Sequence, residues 1–225
     1  LSDPSLLTFT ELTTFLHEFG HALHGMLSDC SYEGLSGTNV ARDFVELPSQ
    51  FMENWAFEKE WLDTWAIHHK TGVKIPSELI ERIRDAATFN EGYACSRQLG
   101  FALLDMAWHT ITEPFTGDIK EFEVRAMDRT EMFPVDSTLN MSCSFTHLFS
   151  GGYAAGYYGY KWAEVLDADA FRHFSESGLF NPEVADSFRK NILEKDGIMD
   201  PMQMYVNFRG REPGIEPLLK NRGLM

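Results

Sequence analysis

Residues 8–27 read TFTELTTFLHEFGHALHGML, the most informative segment of the 225-residue chain. Its apolar residues recur at steps of three and four, the spacing that places side chains on one face of an α-helix. The segment therefore predicts a long amphipathic helix that packs one face on a core. The recurring apolar residues are Phe9, Leu12, Phe15, Leu16, Phe19, Leu23 and Met26.

Helical spacing continues beyond this segment, so we predict a mainly α-helical fold with little strand. Prolines divide the tail into two or three short helices, because proline cannot continue a helix. Residues 31–40 contain two glycines and favour a loop or a short strand. Since no repeat or linker is evident, we predict that residues 1–225 form a single domain. The other periodic stretches cover residues 43–69, 76–109 with a break near 90–92, 119–130 and 153–174.

The charge of the chain argues against two classes of partner, nucleic acids and anionic membranes. The chain carries 34 acidic and 19 basic side chains, for a net charge of −15. Nucleic acids and anionic membranes attract clustered Lys and Arg, so we expect neither as a partner. Apolar residues make up 44% of the chain and include 18 Phe, which is enough to bury a core. No apolar run reaches the roughly 18 residues that span a bilayer.

Cysteine usage indicates a reducing compartment. Cys30, Cys95 and Cys143 are far apart and form no Cys-x-x-Cys pair, which argues against a disulfide framework and against a cysteine zinc site. Residues 1–4 lack the basic and apolar segments of a signal peptide. We therefore expect a cytoplasmic protein, although a chain without an initiator Met can also have been trimmed of an export signal.

The segment His17-Glu18-Phe19-Gly20-His21 has the form H-E-x-x-H and lies within the first predicted helix. Residues four apart on a helix lie one above the other, so both imidazoles can reach one Zn²⁺ ion at about 2.0–2.1 Å. Glu18 lies one step round the helix, where its carboxylate can approach the reacting water without being a ligand. This arrangement is typical of the general base in a metal-dependent hydrolase.

Chance produces this pattern rarely. A chain with 8 His and this Glu content is expected to contain it roughly 0.02 times in random order. The alternative is a pair of surface histidines with an exposed Glu between them. The strongly apolar helix argues against this alternative, because its polar groups need partners once the helix is buried.

A catalytic zinc usually has three protein ligands and one open position, so a third ligand must come from another element. Glu46 is the best candidate, since it lies 25 residues after His21 at the start of the next predicted helix. His24 shares a helix face with His17 but is displaced along it by about 10 Å, which is too far for the same ion. Glu53 lies two turns beyond Glu46 and is predicted to orient a ligand histidine instead.

A second cluster of polar and aromatic residues lies far downstream. Hydrolysis of a peptide bond passes through an oxyanion, which hydroxyl or imidazole donors can stabilise. Glycines before such donors allow a loop to close over a substrate. By themselves, aromatic residues at this spacing are more often core residues than catalytic ones. The cluster comprises His147, Gly151, Gly152, Tyr153, Tyr157, Tyr158 and Tyr160.

Taken together, these motifs resemble the thimet oligopeptidase family of zinc metallopeptidases, over nearly the whole chain. The glycine-rich motif is most similar to the bacterial branch of oligopeptidase A and peptidyl-dipeptidase Dcp. The resemblance implies a zincin-like, mainly α-helical catalytic domain with a small β element near the active site. The matching segments are FLHEFGHALH at 15–24, SGT at 36–38, DFVELPSQ at 43–50, ENW at 53–55, HLFSGGYAAGYYGY at 147–160, FRGREP at 208–213 and NRGL at 221–224.

The resemblance also implies roles for the matched residues. His17, His21 and Glu46 would ligate one Zn²⁺ per chain, and Glu18 would activate the attacking water. Family members are much longer, and their N-terminal helical part forms the opposite wall of a deep channel. The chain thus resembles the C-terminal catalytic portion, and its substrates would be short peptides.

Six further residues match positions that act on the substrate or contact it. Tyr157 and Tyr160 match a pair of tyrosines near the scissile carbonyl, and Tyr160 is the stronger candidate for stabilising the oxyanion. The segment 36–38 matches an edge strand that pairs with the substrate backbone. The implied substrate-binding residues are His147, Tyr153, Gly37 and Thr38.

The predicted activity is zinc-dependent hydrolysis of peptide bonds, either as a peptidyl-dipeptidase that releases C-terminal dipeptides or as an oligopeptidase that cuts internally. Arg209 and Arg211 are candidates, by charge alone, for binding a substrate carboxylate. One alternative is a one-residue metallocarboxypeptidase with the same zinc motif. Another is a non-catalytic zinc-containing domain that binds peptides, which the presence of Glu18 and the tyrosines argues against.

Overall fold

The computed structural model describes residues 5–134, 136 and 138–225. Residues 1–4, on which the signal-peptide prediction depends, lie outside the described residues. The mainly α-helical fold predicted from the sequence is confirmed. Within the described ranges, no helix combines the length and the apolarity that crossing a membrane requires.

Eleven α-helices lie within the described residues, joined by short 3₁₀ and π segments. The α-helices are α1 (Phe9–Met26), α2 (Leu47–Glu53), α3 (Lys59–Leu62), α4 (Ser77–Ala87), α5 (Glu91–His109), α6 (Ile119–Met127), α7 (Met141–Ser144), α8 (Gly159–Ser177), α9 (Pro182–Phe188), α10 (Pro201–Arg209) and α11 (Glu216–Asn221). The 3₁₀ segments are Glu33–Leu35, Asn54–Phe57, Thr146–Leu148 and Asp196–Ile198, and a π-helical turn covers Arg189–Leu193.

Contacts between residues divide the chain into two compact units. The first unit comprises residues 1–89 and 163–225, and the second comprises residues 90–162. The first unit therefore contains the H-E-x-x-H motif, and the second contains the glycine- and tyrosine-rich motif. The single catalytic domain over residues 1–225 stays a prediction.

Helix α1 begins and ends where its sequence predicts. The Thr8 hydroxyl accepts a hydrogen bond from the Glu11 N–H at 3.2 Å, and the Glu11 carboxylate accepts one from the Thr8 N–H at 2.7 Å. This reciprocal cap satisfies two N–H groups that have no partner inside the helix. The helix buries Leu16, Gly20 and His24 on one side.

The second predicted helix, over residues 43–69, is broken into shorter pieces. The Asn54 amide donates to the carbonyl of Gln50 at 3.1 Å and to the carboxylate of Asp167 at 3.0 Å, where a 3₁₀ segment replaces the α-helix. Glu58 then adopts extended backbone angles, which end the segment. The prediction of one continuous helix was wrong. It was made from neighbouring residues alone, whereas one partner of Asn54, Asp167, lies 113 residues further along the chain.

The third predicted helix breaks where expected. Asn90 has φ of 58°, a left-handed conformation that asparagine tolerates better than most residues.

Downstream, the helix predicted to begin at Tyr153 begins only at Gly159, because residues 153–158 form turns. The short helices predicted for the tail are α9, α10 and α11.

Aromatic rings form the core of the first unit. Phe51 on α2 lies 5.6, 5.0 and 4.4 Å from the ring centroids of Phe171, Phe174 and Phe188. Burying each such side chain contributes about 1.5–3 kcal/mol. This packing fixes α2 against α8 and α9, and so fixes the residue that precedes α2, Glu46.

Strand pairing is sparse in the described part of the chain. An isolated antiparallel bridge joins Ile67 and Lys74. No named strand occurs among the described residues, which agrees with the low strand content predicted from the sequence.

The segment 36–38 is a turn rather than the strand that the family resemblance implies. The Asn39 amide donates to the carbonyl of Ser36 at 2.9 Å, and the Ser36 hydroxyl donates to the carbonyl of Glu33 at 3.0 Å. These local hydrogen bonds fold the segment back on itself. Gly37 has φ of 58°, which lies outside the strand region.

Helices α1 and α2 approach each other closely at Gly20. A Cβ atom on Gly20 would lie 2.4 Å from the carbonyl oxygen of Pro48 and 2.5 Å from the Cα of Ser49. Both neighbouring atoms belong to the backbone, so a side chain cannot be accommodated by a rotamer change. Only glycine permits this approach, which brings the motif on α1 next to α2.

We predict that Gly20→Ala lowers the free energy of unfolding by about 1–3 kcal/mol, because the added methyl group forces the two helices apart. Gly25→Ala is the matched control on the same helix, since a Cβ there meets nothing within 4 Å. Urea unfolding of both variants measures the difference. Equal stability of Gly20→Ala and Gly25→Ala would contradict the close approach.

Candidate functional site

Two imidazoles and one carboxylate converge where α1 meets α2. His17 and His21 lie one turn apart on α1, and Glu46 lies just before α2. The Oε2 atom of Glu46 is 3.3 Å from the Nε2 atom of each histidine. One ligand atom from each of the three residues lies within 4.8 Å of the others.

The spacing of these atoms fits a tetrahedral zinc site. With bonds of about 2.0–2.1 Å, two ligands of a tetrahedral ion lie about 3.3–3.4 Å apart. The two histidine–Glu46 separations of 3.3 Å have this value. Two nitrogens and one oxygen also form a donor set that zinc accepts, with one position left for water or substrate. The residues present therefore fit the ion.

The carboxylate of Glu46 is held in place before any ion binds. Its side chain is 2% exposed. The buried hydroxyl of Ser49, one turn into α2, donates to Glu46, whose Oε2 and carbonyl oxygen lie 3.1 and 3.0 Å away. Sequence reasoning missed Ser49, although a hydroxyl three residues after a candidate ligand at a helix start is a signal that could have found it.

Glu53 contacts the ring nitrogen of His17 that does not face Glu46. Its Oε1 atom lies 2.7 Å from the Nδ1 atom of His17. Burial alone would lower the pKa of His17, but the carboxylates of Glu46 and Glu53 outweigh burial and raise this pKa to about 10. The site therefore favours positive charge at this position, whether a proton or a metal ion provides it.

His24 is not a member of the group, in agreement with the sequence argument. It is fully buried, and its Nε2 atom lies 3.4 Å from a carboxylate oxygen of the equally buried Asp196. Burial lowers the pKa of His24, and the charge of Asp196 opposes this effect only in part. The imidazole is therefore kept neutral.

Glu18 lies on the exposed side of α1, between the two histidines in sequence. A base that takes a proton from water needs such access.

The substrate-binding residues predicted on the next segment divide between two environments. Gly37 is buried, and a Cβ atom added to it would lie 3.2 Å from the Cα of Gly25. Thr38 is exposed.

The second unit brings His147 and three tyrosines together. The imidazole centroid lies 5.3, 5.5 and 5.9 Å from the rings of Tyr153, Tyr157 and Tyr160. Tyr160 in turn stacks on Tyr153 at 5.1 Å and lies 5.3 Å from Tyr157. The four residues of this motif to which the family resemblance assigns roles thus lie together.

The two arginines proposed to bind a substrate carboxylate already contact one within the protein. The Nε atom of Arg209 and the Nη2 atom of Arg211 lie 3.1 and 2.5 Å from the carboxylate of Asp169, which is fully buried. Tyr205 donates to the same carboxylate at 2.8 Å. These contacts favour a structural role for both guanidinium groups.

We predict that Glu53→Gln weakens zinc affinity about 10- to 100-fold, because a partner that orients a metal-binding histidine is lost. Glu60→Gln is the matched control, since Glu60 is exposed and lies outside the cluster. Competition with a chelator measures both affinities. Equal affinities for the two variants would contradict the role assigned to Glu53.

The sequence resembles known peptidases along its full length. The model of peptidase family M3 matches residues 1–224. The chain is 45% identical over 99% of its residues to a probable cytosolic oligopeptidase A of Arabidopsis thaliana. It is 42% identical over 99% of its residues to a dipeptidyl carboxypeptidase, and 43% identical over 98% to an oligopeptidase A, both of Escherichia coli strain K12.

The chain spans about a third of the length of these curated relatives, with 32%, 33% and 33% of them covered. The resemblance to oligopeptidase A and peptidyl-dipeptidase Dcp that the motifs predict is confirmed. Since the family match covers residues 1–224, the chain belongs to peptidase family M3.

Proposed function

We propose that the chain is the catalytic portion of a zinc-dependent peptidase that hydrolyses peptide bonds in short peptides. The observation that carries this proposal is the convergence of His17, His21 and Glu46 within 4.8 Å, on the face where α1 meets α2. Family M3 membership and the names of the relatives support peptide hydrolysis as the reaction.

His17, His21 and Glu46 would hold one zinc ion per chain. When bound, this ion would polarise the substrate carbonyl and lower the pKa of the attacking water. Glu18, exposed on α1, would take a proton from that water and deliver it to the leaving amine. Glu53 would keep the imidazole of His17 in the orientation and tautomer that leave its Nε2 atom for the metal.

The tyrosine cluster of the second unit would stabilise the charge that develops on the substrate carbonyl. Tyrosine hydroxyls donate hydrogen bonds while staying neutral at pH 7, which suits an oxyanion. We assign the main donor role to Tyr160, with Tyr157 and His147 assisting. Tyr153, Gly37 and Thr38 would contact the peptide itself.

The substrate would be a short, unfolded peptide. The N-terminal helical part of a longer chain would complete the channel around it, as the family resemblance implies. One relative is named a dipeptidyl carboxypeptidase, which supports the release of C-terminal dipeptides, and others are named oligopeptidase A, which supports cleavage of oligopeptides. A cytoplasmic location would suit the three free cysteines and the relative named cytosolic.

Replacing Glu18 by Gln tests the proposed chemistry. The variant should retain one zinc per chain and lose kcat by about 10²- to 10⁴-fold, because the amide cannot accept the proton of water. Mass spectrometry of a peptide with a free C-terminus and of its blocked form measures the products. Zinc-loaded Glu18→Gln with undiminished turnover would contradict the role of Glu18.

The same products distinguish the two modes of cleavage. Dipeptides released only from the free peptide indicate a peptidyl-dipeptidase, and internal cuts in both peptides indicate an oligopeptidase. Single amino acids would favour a one-residue carboxypeptidase. If the zinc-loaded chain cleaves neither peptide, the assay is repeated on a longer chain that includes the N-terminal part, and a zinc-loaded longer chain that cleaves neither peptide would contradict the proposed function.

We expect Tyr160→Phe to lower kcat by about 10²- to 10³-fold with a smaller change in KM, because a donor to the oxyanion is lost. Tyr158→Phe is the matched control within the same motif and should keep kcat within about 3-fold. Steady-state kinetics on one peptide compares the two. Similar kcat values for both variants would exclude Tyr160 as the main donor.

A further inference from the structure

A fully buried carboxylate on α5 holds the turn that precedes α8. The side chain of Asp105 is 0% exposed. Its Oδ1 atom accepts a hydrogen bond from the N–H of Ala155 at 3.0 Å, and its Oδ2 atom accepts one from the N–H of Tyr157 at 2.9 Å. Both oxygens of one carboxylate thus bind the backbone on either side of Gly156.

The turn needs such support. Ala155 has φ of 54°, a left-handed conformation that is strained for a residue other than glycine. Hydrogen bonds from N–H groups to a carboxylate are among the stronger hydrogen bonds in proteins. The two that Asp105 accepts therefore stabilise this strained turn.

The carboxylate is itself fixed on its helix. The Nδ1 atom of His109, one turn further along α5, lies 2.9 Å from the Oδ1 atom of Asp105 and 2.8 Å from its carbonyl oxygen. An N–H at this nitrogen satisfies both oxygens and prevents the carboxylate from rotating away. The hydrogen bonds to Asp105 therefore hold the backbone of residues 155–157 against α5.

The same face of α5 also holds the side chain of Tyr157. The Tyr157 hydroxyl donates to the Oε1 atom of Gln98 at 2.8 Å, and its ring packs on Phe101 at a centroid distance of 6.0 Å. Gln98 precedes Asp105 by seven residues, which is two helical turns. One helix face therefore holds Tyr157 at its hydroxyl, its ring and its backbone.

We infer that Gln98 and Asp105 are positioning residues for the proposed reaction: Asp105 fixes the turn at residues 153–158, and Gln98 fixes the hydroxyl of Tyr157. The inference rests on the proposed function of the tyrosine cluster. A hydroxyl has one proton, so donation to Gln98 leaves the oxygen lone pairs of Tyr157 for its other partners. The proton of Tyr157 is then committed, so Tyr157 would help Tyr160 by packing against its ring, at a centroid distance of 5.3 Å, rather than as a second donor.

A double-mutant cycle tests the role of Gln98. Gln98→Leu removes the acceptor and should lower kcat about 10-fold with KM changed less than about 2-fold. Because Gln98 acts through the hydroxyl, adding Gln98→Leu to Tyr157→Phe should change kcat no further. Gln98→Glu keeps an acceptor oxygen and should restore most of the activity. Equal losses of kcat in both backgrounds, or a Glu variant as poor as the Leu variant, would overturn the role of Gln98.

Hydrogen exchange tests the role of Asp105 without any assay of activity. Asp105→Asn retains the shape but turns one acceptor into a donor, so amides of residues 150–158 should exchange at least about 10-fold faster while those of α6 stay unchanged. Asp128→Asn, an exposed residue of the same unit, is the control and should exchange like the wild type. Unchanged exchange at 150–158 would overturn the inference. So would uniformly faster exchange across residues 90–162.

The two experiments also separate this inference from the proposed function. If zinc-loaded wild-type protein cleaves no peptide even with the N-terminal part present, the proposed function fails. Hydrogen exchange would still show whether Asp105 holds the turn. If the wild type is active and the exchange pattern of Asp105→Asn matches that of Asp128→Asn, the positioning role fails while the peptidase proposal stands.

Discussion

The backbone contact between α1 and α2 at Gly20 is the constraint on which the candidate metal centre depends. An H-E-x-x-H segment by itself supplies two imidazoles on one helix face. The third candidate ligand, Glu46, lies 3.3 Å from both histidines only because α2 lies close to α1. The aromatic core around Phe51 keeps α2 at this distance, so packing far from the ligands sets the geometry of the site.

Electrostatics then explains why this arrangement calls for a cation. Glu46 is almost completely buried, and Glu53 approaches His17 from the other side. A buried carboxylate without a cation or sufficient donors is unstable by several kcal/mol. Ser49 supplies one donor, and a metal ion on the two imidazoles would supply the compensating charge. The fold therefore builds a candidate site whose side chains are oriented by hydrogen bonds and to which a bound cation would add the compensating charge.

Sequence patterns predicted the features that depend on neighbours along the chain. The limits of α1, the break at Asn90 and the spacing of His17 and His21 all follow from local rules of capping, backbone preference and helix periodicity. Features set by distant partners were missed. Asn54 interrupts a predicted helix partly by bonding Asp167. The turn at residues 36–38 was missed for a different reason, because its hydrogen bonds are local but the family resemblance implies a strand there. Asp105 lies in no recognisable sequence motif. Its hydrogen bonds to the turn at 153–158 are visible only in the folded structure.

X-ray absorption at the zinc edge of the loaded protein tests whether His17, His21 and Glu46 form a zinc site. We expect one zinc per chain with nitrogen and oxygen neighbours at about 2.0–2.1 Å, two of them imidazoles, and no sulfur at about 2.3 Å. The imidazole signal should fall when His21 is replaced by Ala. Failure to bind zinc, or a spectrum with sulfur ligands, would show that these three residues do not form a zinc site.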